Sequence, residues 1–242
     1  SRSSRGADDG GPPPWRLAML IDSHVHLDAA EFAADRDEVI DNARAAGVKG
    51  FVVPAVDRLS LDAVLALAAG RRDVCPALGI HPMYVMGARE DDLAVLESHL
   101  ARGAARAVGE IGLDHFVTDI DPVRQLDFFV AQLKLARRYD LPVILHVRRA
   151  VDPILKQLRR IGVRGGIAHA FNGSRQQAQV FIDLGFRLGF GGAMTFEGSS
   201  RIRELARTLP LSAIVLETDA PDIPPAWCAG QRTDPVNLLR FA

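Results

Sequence analysis

Two histidines one residue apart, His24 and His26, interrupt the otherwise apolar run Leu20–Leu27. In an extended chain alternate side chains share a face, so both imidazoles point one way while Ile21, Val25 and Leu27 point the other. Two imidazoles on one face can grip a divalent cation; a polar-faced edge strand with two uninvolved histidines is the plainer alternative. Other metal-capable residues bear on the choice. Glu110 stands in Val108-Gly109-Glu110-Ile111-Gly112-Leu113-Asp114, His146 in Pro142-Val143-Ile144-Leu145-His146, His169 in Gly166-Ile167-Ala168-His169, and Asp219 in Val215-Leu216-Glu217-Thr218-Asp219. Each alone reads as hydrogen-bonded core or as a helix cap. Together they do not: four of the seven histidines fall inside apolar runs, where a polar ring needs a partner.

Four histidines, one glutamate and one aspartate are enough to coordinate two divalent cations. A two-metal site can activate a water, polarise a phosphoryl or carbonyl oxygen and steady the leaving oxygen. The bridging ligand must be a carboxylate that uses both oxygens, and Glu110 is the best placed. Asp219 can ligate one cation and take the proton from the attacking water. Imidazole and carboxylate donors suit Zn, Mg, Mn or Fe.

These residues need elements to bring them together. Short apolar runs at Leu20–Leu27, Gly50–Ala55, Cys75–Ile80, Ala107–Leu113, Pro142–Val147, Gly165–Phe171, Arg187–Gly192 and Ala213–Thr218 alternate with helix-period segments such as Glu31–Ala46. Asp121-Pro122 signals one helix start and Ser174-x-x-Gln177 another. Eight strands separated by helices at similar intervals predict a parallel, closed (β/α)8 TIM-like barrel. No G-x-G-x-x-G follows the first strand, so a dinucleotide fold loses its main support. In such a barrel the site forms at the C-terminal mouth, where all six candidate ligands fall.

The totals fit one large domain. Hydrophobic residues make up 48% of the 242, ample for a core, and the net charge of −1 argues against binding polyanions over the whole surface. It does not exclude a phosphate substrate, because cations supply their own charge. Cys75 and Cys228 lack metal-type spacing and read as free thiols in a reducing cytoplasm. No stretch approaches the roughly 20 apolar residues that span a bilayer. Residues 1–18, rich in Gly, Pro, Ser and Arg, are expected to be a disordered leader, leaving 19–242 as a single barrel domain.

The chain resembles the TatD family of metal-dependent hydrolases, among the amidohydrolase-like barrels. The motifs that carry this are Ile21-Asp22-Ser23-His24-Val25-His26-Leu27-Asp28, Gly79-Ile80-His81-Pro82, Gly109-Glu110-Ile111-Gly112-Leu113-Asp114, Leu141-Pro142-Val143-Ile144-Leu145-His146, His169-Ala170-Phe171-Asn172-Gly173-Ser174, Gly189-Phe190-Gly191-Gly192 and Glu217-Thr218-Asp219-Ala220-Pro221. Ala220-Pro221-Asp222-Ile223-Pro224 with Gly230-Gln231 looks most like the YjjV-like branch. The resemblance implies two divalent metal cations. His24, His26, Glu110 and Asp219 would serve one, and Glu110, His146 and His169 the other. It also implies a metal-dependent deoxyribonuclease acting on DNA phosphodiesters, often from the 3′ end. Met83 stands where many members carry a second histidine, and the chain stops at Ala242 where members continue into a closing helix, so the outer side of strands 1 and 8 is expected to be exposed.

Weaker candidates surround the mouth. His81 is expected to contact substrate or water, and Arg148 to meet a phosphate, with Arg149 facing outward. Asp114 reads as a partner for a ligating histidine or as a loop cap. The amide groups at Gly173-Ser174 can hold an anion or a cap. Trp227 can stack on a base or pack over the mouth. His115 can approach the site from its loop, and His99 reads as solvated. Two other functions fit the same residues: hydrolysis of an amide or ester, suggested by the near-neutral charge, and a non-catalytic metal-binding partner protein.

Overall fold

A computed structural model describes residues 19–242; the expected leader lies outside them. Eight strands, β1 (Leu20–Asp22), β2 (Val48–Pro54), β3 (Val74–Leu78), β4 (Ala107–Asp114), β5 (Val143–Arg148), β6 (Gly166–Ala168), β7 (Phe186–Phe190) and β8 (Ile214–Leu216), form one parallel sheet in sequential order. Between them run α1 (Arg36–Ala46), α2 (Arg58–Ala68), α3 (Glu90–Ala101), α4 (Pro122–Arg138), α5 (Val151–Ile161), α6 (Arg175–Asp183) and α7 (Ser200–Thr208). The sheet curls into a nearly closed barrel of the expected TIM type. The seam is held by Ser23 N–H to Leu216 O (3.0 Å), Asp219 N–H to His24 O (2.8 Å) and His26 N–H to Ala220 O (2.8 Å).

The apolar runs form strands because both of their faces are covered. β4 is buried along its whole length. Strand residues Val53, Leu78, Ile111, Leu145 and Leu188 pack with Leu61, Leu133, Leu158 and Phe181 of the helices in the main core, while Ala77, Ala107 and Ile144 form a separate, smaller cluster. Helix starts obey their capping signals: Asp121 accepts from the N–H groups of Val123 and Arg124, and Ser174 and Gln177 form a reciprocal capping box.

Three expectations need correction. The first strand is shorter than the run Leu20–Leu27. After Asp22 the chain bends at Ser23-His24, where the Asp22 side chain takes the Thr218 N–H (2.9 Å), and Val25 still donates to Val52 O (3.0 Å). The helix expected over Glu31–Ala46 begins at Arg36, preceded by a 3-10 turn at Ala30–Phe32. Arg36 reaches back to the carbonyls of Leu27, Asp28 and Ala29 and folds the intervening residues into that turn. His99 is buried rather than solvated, its Nδ1 3.0 Å from an Arg102 nitrogen and its Nε2 3.4 Å from Asp62 of α2.

At the seam, Ile21 is 57% exposed and β8 is only half-buried. The last described element, a 3-10 turn at Pro235–Arg240, brings Leu238 and Phe241 into the core beside α1. Among the described residues, no helix is long and apolar enough to cross a membrane.

Candidate metal centre

The six candidate ligands meet at the C-terminal mouth. Nε2 of His24 lies 3.2 Å from Nε2 of His26, 3.0 Å from Oε2 of Glu110 and 3.4 Å from Oδ1 of Asp219. Nε2 of His26 is 3.4 Å from the same Asp219 oxygen and 3.6 Å from Oε2 of Glu110. The other Glu110 oxygen, Oε1, faces Nδ1 of His146 (3.0 Å) and Nε2 of His81 (3.3 Å). Nε2 of His169 stands 3.6 Å from Oδ2 of Asp219, with its ring stacked on His24 at 3.6 Å.

Donor atoms therefore gather in three overlapping sets: His24, His26 and Asp219; His24, Glu110 and His169; and His81, Glu110 and His146. Glu110 belongs to two of them, one oxygen to each side, which is what a bridging ligand needs. His146 and His169 share no such set in the absence of a cation, and His81 stands beside His146. His81, expected as a substrate contact, is buried among the donors.

This donor set fits divalent cations. With Zn–N and Zn–O bonds of about 2.0–2.2 Å, neighbouring tetrahedral ligand atoms lie about 3.3–3.6 Å apart. The separations above cluster near that range. Ring nitrogens face each other at 3.2 Å (His24, His26) and 3.0 Å (His81, His146). Facing nitrogens share at most one proton, so at least one lone pair of each pair points into the cluster.

Burial and charge tune the groups in opposite directions. Burial pushes His24 and His81 down, keeping these rings neutral. Burial also opposes charge on His26 and His169, yet contacts with Asp219 lift His26 to about 9, and the charges of Glu217 and Asp219 lift His169 to about 10. Burial would raise Glu110; the imidazoles of His81 and His24 and the bond from His146 hold it well below the usual carboxylate range. Asp219 is lowered in the same way, against burial, by His169 and His26. Its φ of +56°, rare for a residue with a side chain, marks a backbone held in place by its surroundings.

Supporting carboxylates surround the donors. Asp114 uses Oδ2 to hold Nε2 of His146 (2.9 Å) and Oδ1 to accept from the N–H groups of Phe116 and Val117. It is thus both the histidine partner and the loop cap. Glu217 lies with Oε1 3.0 Å from Nδ1 of His169, at ion-pair distance, and accepts the Ala170 N–H (2.6 Å). Asp22 bonds the backbone and hydroxyl of Thr218. Glu217 and Asp22 were not singled out from the sequence, although each sits two residues before a ligand candidate. The same period of two that paired His24 with His26 places them on the same face.

The mouth opens into a cavity of about 1080 Å³ that includes His26, His81, Glu110, His146, His169 and Asp219. Arg148 lines it as expected. Arg149, expected to face outward, lines it too: its φ of +53° turns the end of β5 so that consecutive side chains no longer alternate. Met83 and Phe116 also reach the cavity; His115 is exposed outside it. Trp227 neither stacks at the mouth nor covers it. It bonds Asn237 (3.1 Å) and packs beside Phe241, on the C-terminal segment. The amide groups of Ser174 and Gln177 are taken by their capping box.

The family model described as TatD related DNase matches residues 21–242. A metal-dependent hydrolase of Escherichia coli K12, YjjV, is 41% identical over 227 residues, covering 93% of this chain and 88% of that protein. Its crystal structure superposes with a TM-score of 0.88 over 91% of this chain and 86% of that one. A 3'-5' ssDNA/RNA exonuclease, TatD, of Erwinia tasmaniensis is 33% identical over 206 residues, 84% of this chain and 80% of the other.

Proposed function

This chain belongs to the TatD-related DNase family of metal-dependent hydrolases, and from that membership we propose that it is a deoxyribonuclease, taking single-stranded DNA or 3′ ends as substrate. The observation that carries this reading is the convergence of imidazole and carboxylate donors on Glu110 in a buried mouth. His24, His26, Glu110 and Asp219 would hold one divalent cation. Glu110, His146 and His169 would hold the second, with His81 beside His146. The metals are drawn from Zn, Mg, Mn and Fe.

When bound, divalent cations supply Lewis-acid polarisation of a phosphoryl oxygen and a more acidic water. The chain's own residues do the rest. Glu110, ionised and buried, offers one oxygen to each half of the donor cluster. Asp219, also held ionised, accepts the proton that the attacking water gives up. Asp114 and Glu217 fix the rings of His146 and His169, limiting their freedom to swing away. Arg148 meets the charged phosphate at the rim. The two unpaired thiols suit a cytoplasmic setting.

The reading is tested by incubating the pure protein with a single-stranded oligonucleotide and Mg²⁺ or Mn²⁺. Cleavage that stops on chelation, and that Glu110→Ala reduces to the chelated background, is expected. Cleavage indifferent to both would show that the activity belongs elsewhere.

A further inference from the structure

We propose that Arg148 and Arg149, ordered on the ring of Phe116, form a second phosphate subsite that binds the phosphate next to the one being cleaved. This rests on the nuclease reading above and adds to it: the mouth is built for a strand of nucleic acid rather than for a small phosphate ester.

Consecutive residues of a strand point to opposite faces. Here they do not. The left-handed backbone at Arg149 (φ +53°) brings both guanidinium groups to the same ring, their central carbons 3.8 Å and 4.6 Å from the Phe116 centroid. That conformation is uncommon in a residue with a side chain and marks sites held by function or surroundings. The aromatic face attracts the two cations and limits their motion.

Their donors are free. Among the described residues neither guanidinium donates a hydrogen bond, and the nearest carboxylate, Asp114, is 4.0 Å from Arg148 with that oxygen already bonded to His146. Other arginines of the chain are engaged: Arg44 with Asp73, Arg232 with Asp35, Arg124 with the carbonyls of Val85 and Ala88. Two guanidinium groups held on one ring, with no hydrogen bond donated, can each offer a charge-assisted bond to a phosphodiester oxygen.

Their position is indexed to the donor cluster. One carboxylate, Asp114, holds His146 with one oxygen and the Phe116 turn with the other. A displacement of the ring would pull on the histidine. Across the same cavity stand Asp28, Glu31 and Asp222. An extended polyanion is repelled by that wall and drawn over the basic one, where Arg201, bonded to Asn172, continues the positive side.

The test compares two substrates and one binding measurement. Bis(p-nitrophenyl) phosphate has a single phosphodiester and no neighbouring phosphate; a single-stranded oligonucleotide has both. Arg149→Ala and the double variant R148A/R149A are expected to lose roughly tenfold more kcat/KM on the oligonucleotide than on the small diester, mainly through KM, as one charge-assisted bond predicts. Phe116→Leu, which keeps both charges, is expected to fall between. Binding of a fluorescent oligonucleotide to the chelated protein should show a log–log salt slope shallower by about 0.7 for each phosphate contact removed. Equal losses on both substrates, or an unchanged slope, would overturn the subsite while leaving the nuclease reading intact. Wild-type turnover of the small diester without cleavage of the oligonucleotide would instead overturn the nuclease reading, and the subsite with it.

Discussion

Glu217 shows how much of the centre depends on residues that need not touch a cation. Its side chain is almost wholly buried, with Oε1 against Nδ1 of His169 and the Ala170 N–H. Gly189 and Gly191 make room for this residue. A Cβ at Gly189 would lie 2.1 Å from Oε2 of Glu217, and one at Gly191 would lie 2.2 Å from its carbonyl oxygen. Gly189 is therefore explained by the carboxylate of Glu217 and Gly191 by its backbone, while a Cβ at Gly192 would meet the Ile223 carbonyl at 2.2 Å. Glu217→Gln keeps the shape and the acceptor for Ala170 but removes the charge that orients His169. Metal affinity should drop about 10–100-fold, the usual cost of losing such a partner, while the far-UV spectrum is unchanged. Titration against a chelating dye measures this; equal affinity would reduce Glu217 to a packing residue.

At the level of elements, the seam between β1 and β8 is stapled by side chains as well as backbone. Asp22 is fully buried and accepts from Thr218 N–H and hydroxyl across the closure, and Ser23 donates to Leu216 O (2.9 Å). Burial pushes the Asp22 carboxyl from 3.8 to about 7. The folded chain thus keeps a proton that the unfolded chain releases between those values. Stability is full below about pH 3.8 for this group and falls as pH rises through 7. With chelator present, so that no cation biases the carboxyl, Asp22→Asn should flatten this decline, because the amide stays neutral throughout. Denaturant midpoints at pH 5 and pH 8 give the comparison: wild type should lose more stability than the variant between them. An equal change in both proteins would place the titration elsewhere.

For the whole molecule, the donors come from β4 and β5 and from the segments after β1, β3, β6 and β8, so cations bound there would tie together distant parts of the barrel. A cation present at 100 times its Kd adds about 2.7 kcal/mol for one site. In a chain of this size that raises the thermal midpoint by roughly 5–11 °C. Melting with Zn²⁺ or Mn²⁺, and again after chelation, reads the difference. A midpoint that ignores both would show that these side chains hold no metal in solution. The same arrangement sets the polarity of the mouth: Arg148 and Arg149 leave β5, while Asp28 and Asp222 follow β1 and β8 on the other wall.

Much of this was readable from residue types and periods alone. Alternating apolar and amphipathic runs determine the barrel, because each strand must be buried on both faces and each helix on one. The period of two picks out His24 with His26, and polar residues inside apolar runs mark Glu110, His146 and His169, since burial without a partner is costly. What tertiary structure alone decided is which atoms face which. His81 joins Glu110 and His146 because β3 and β4 lie side by side, a proximity across 29 residues of sequence that no local period encodes. Arg149 enters the mouth because one residue takes a left-handed backbone, overriding the strand alternation that points it outward. His99 is buried because α3 packs against α2, although its own helix reads as polar around it. Local pattern determines an element and its faces; only closure of the sheet brings one strand's face against another's.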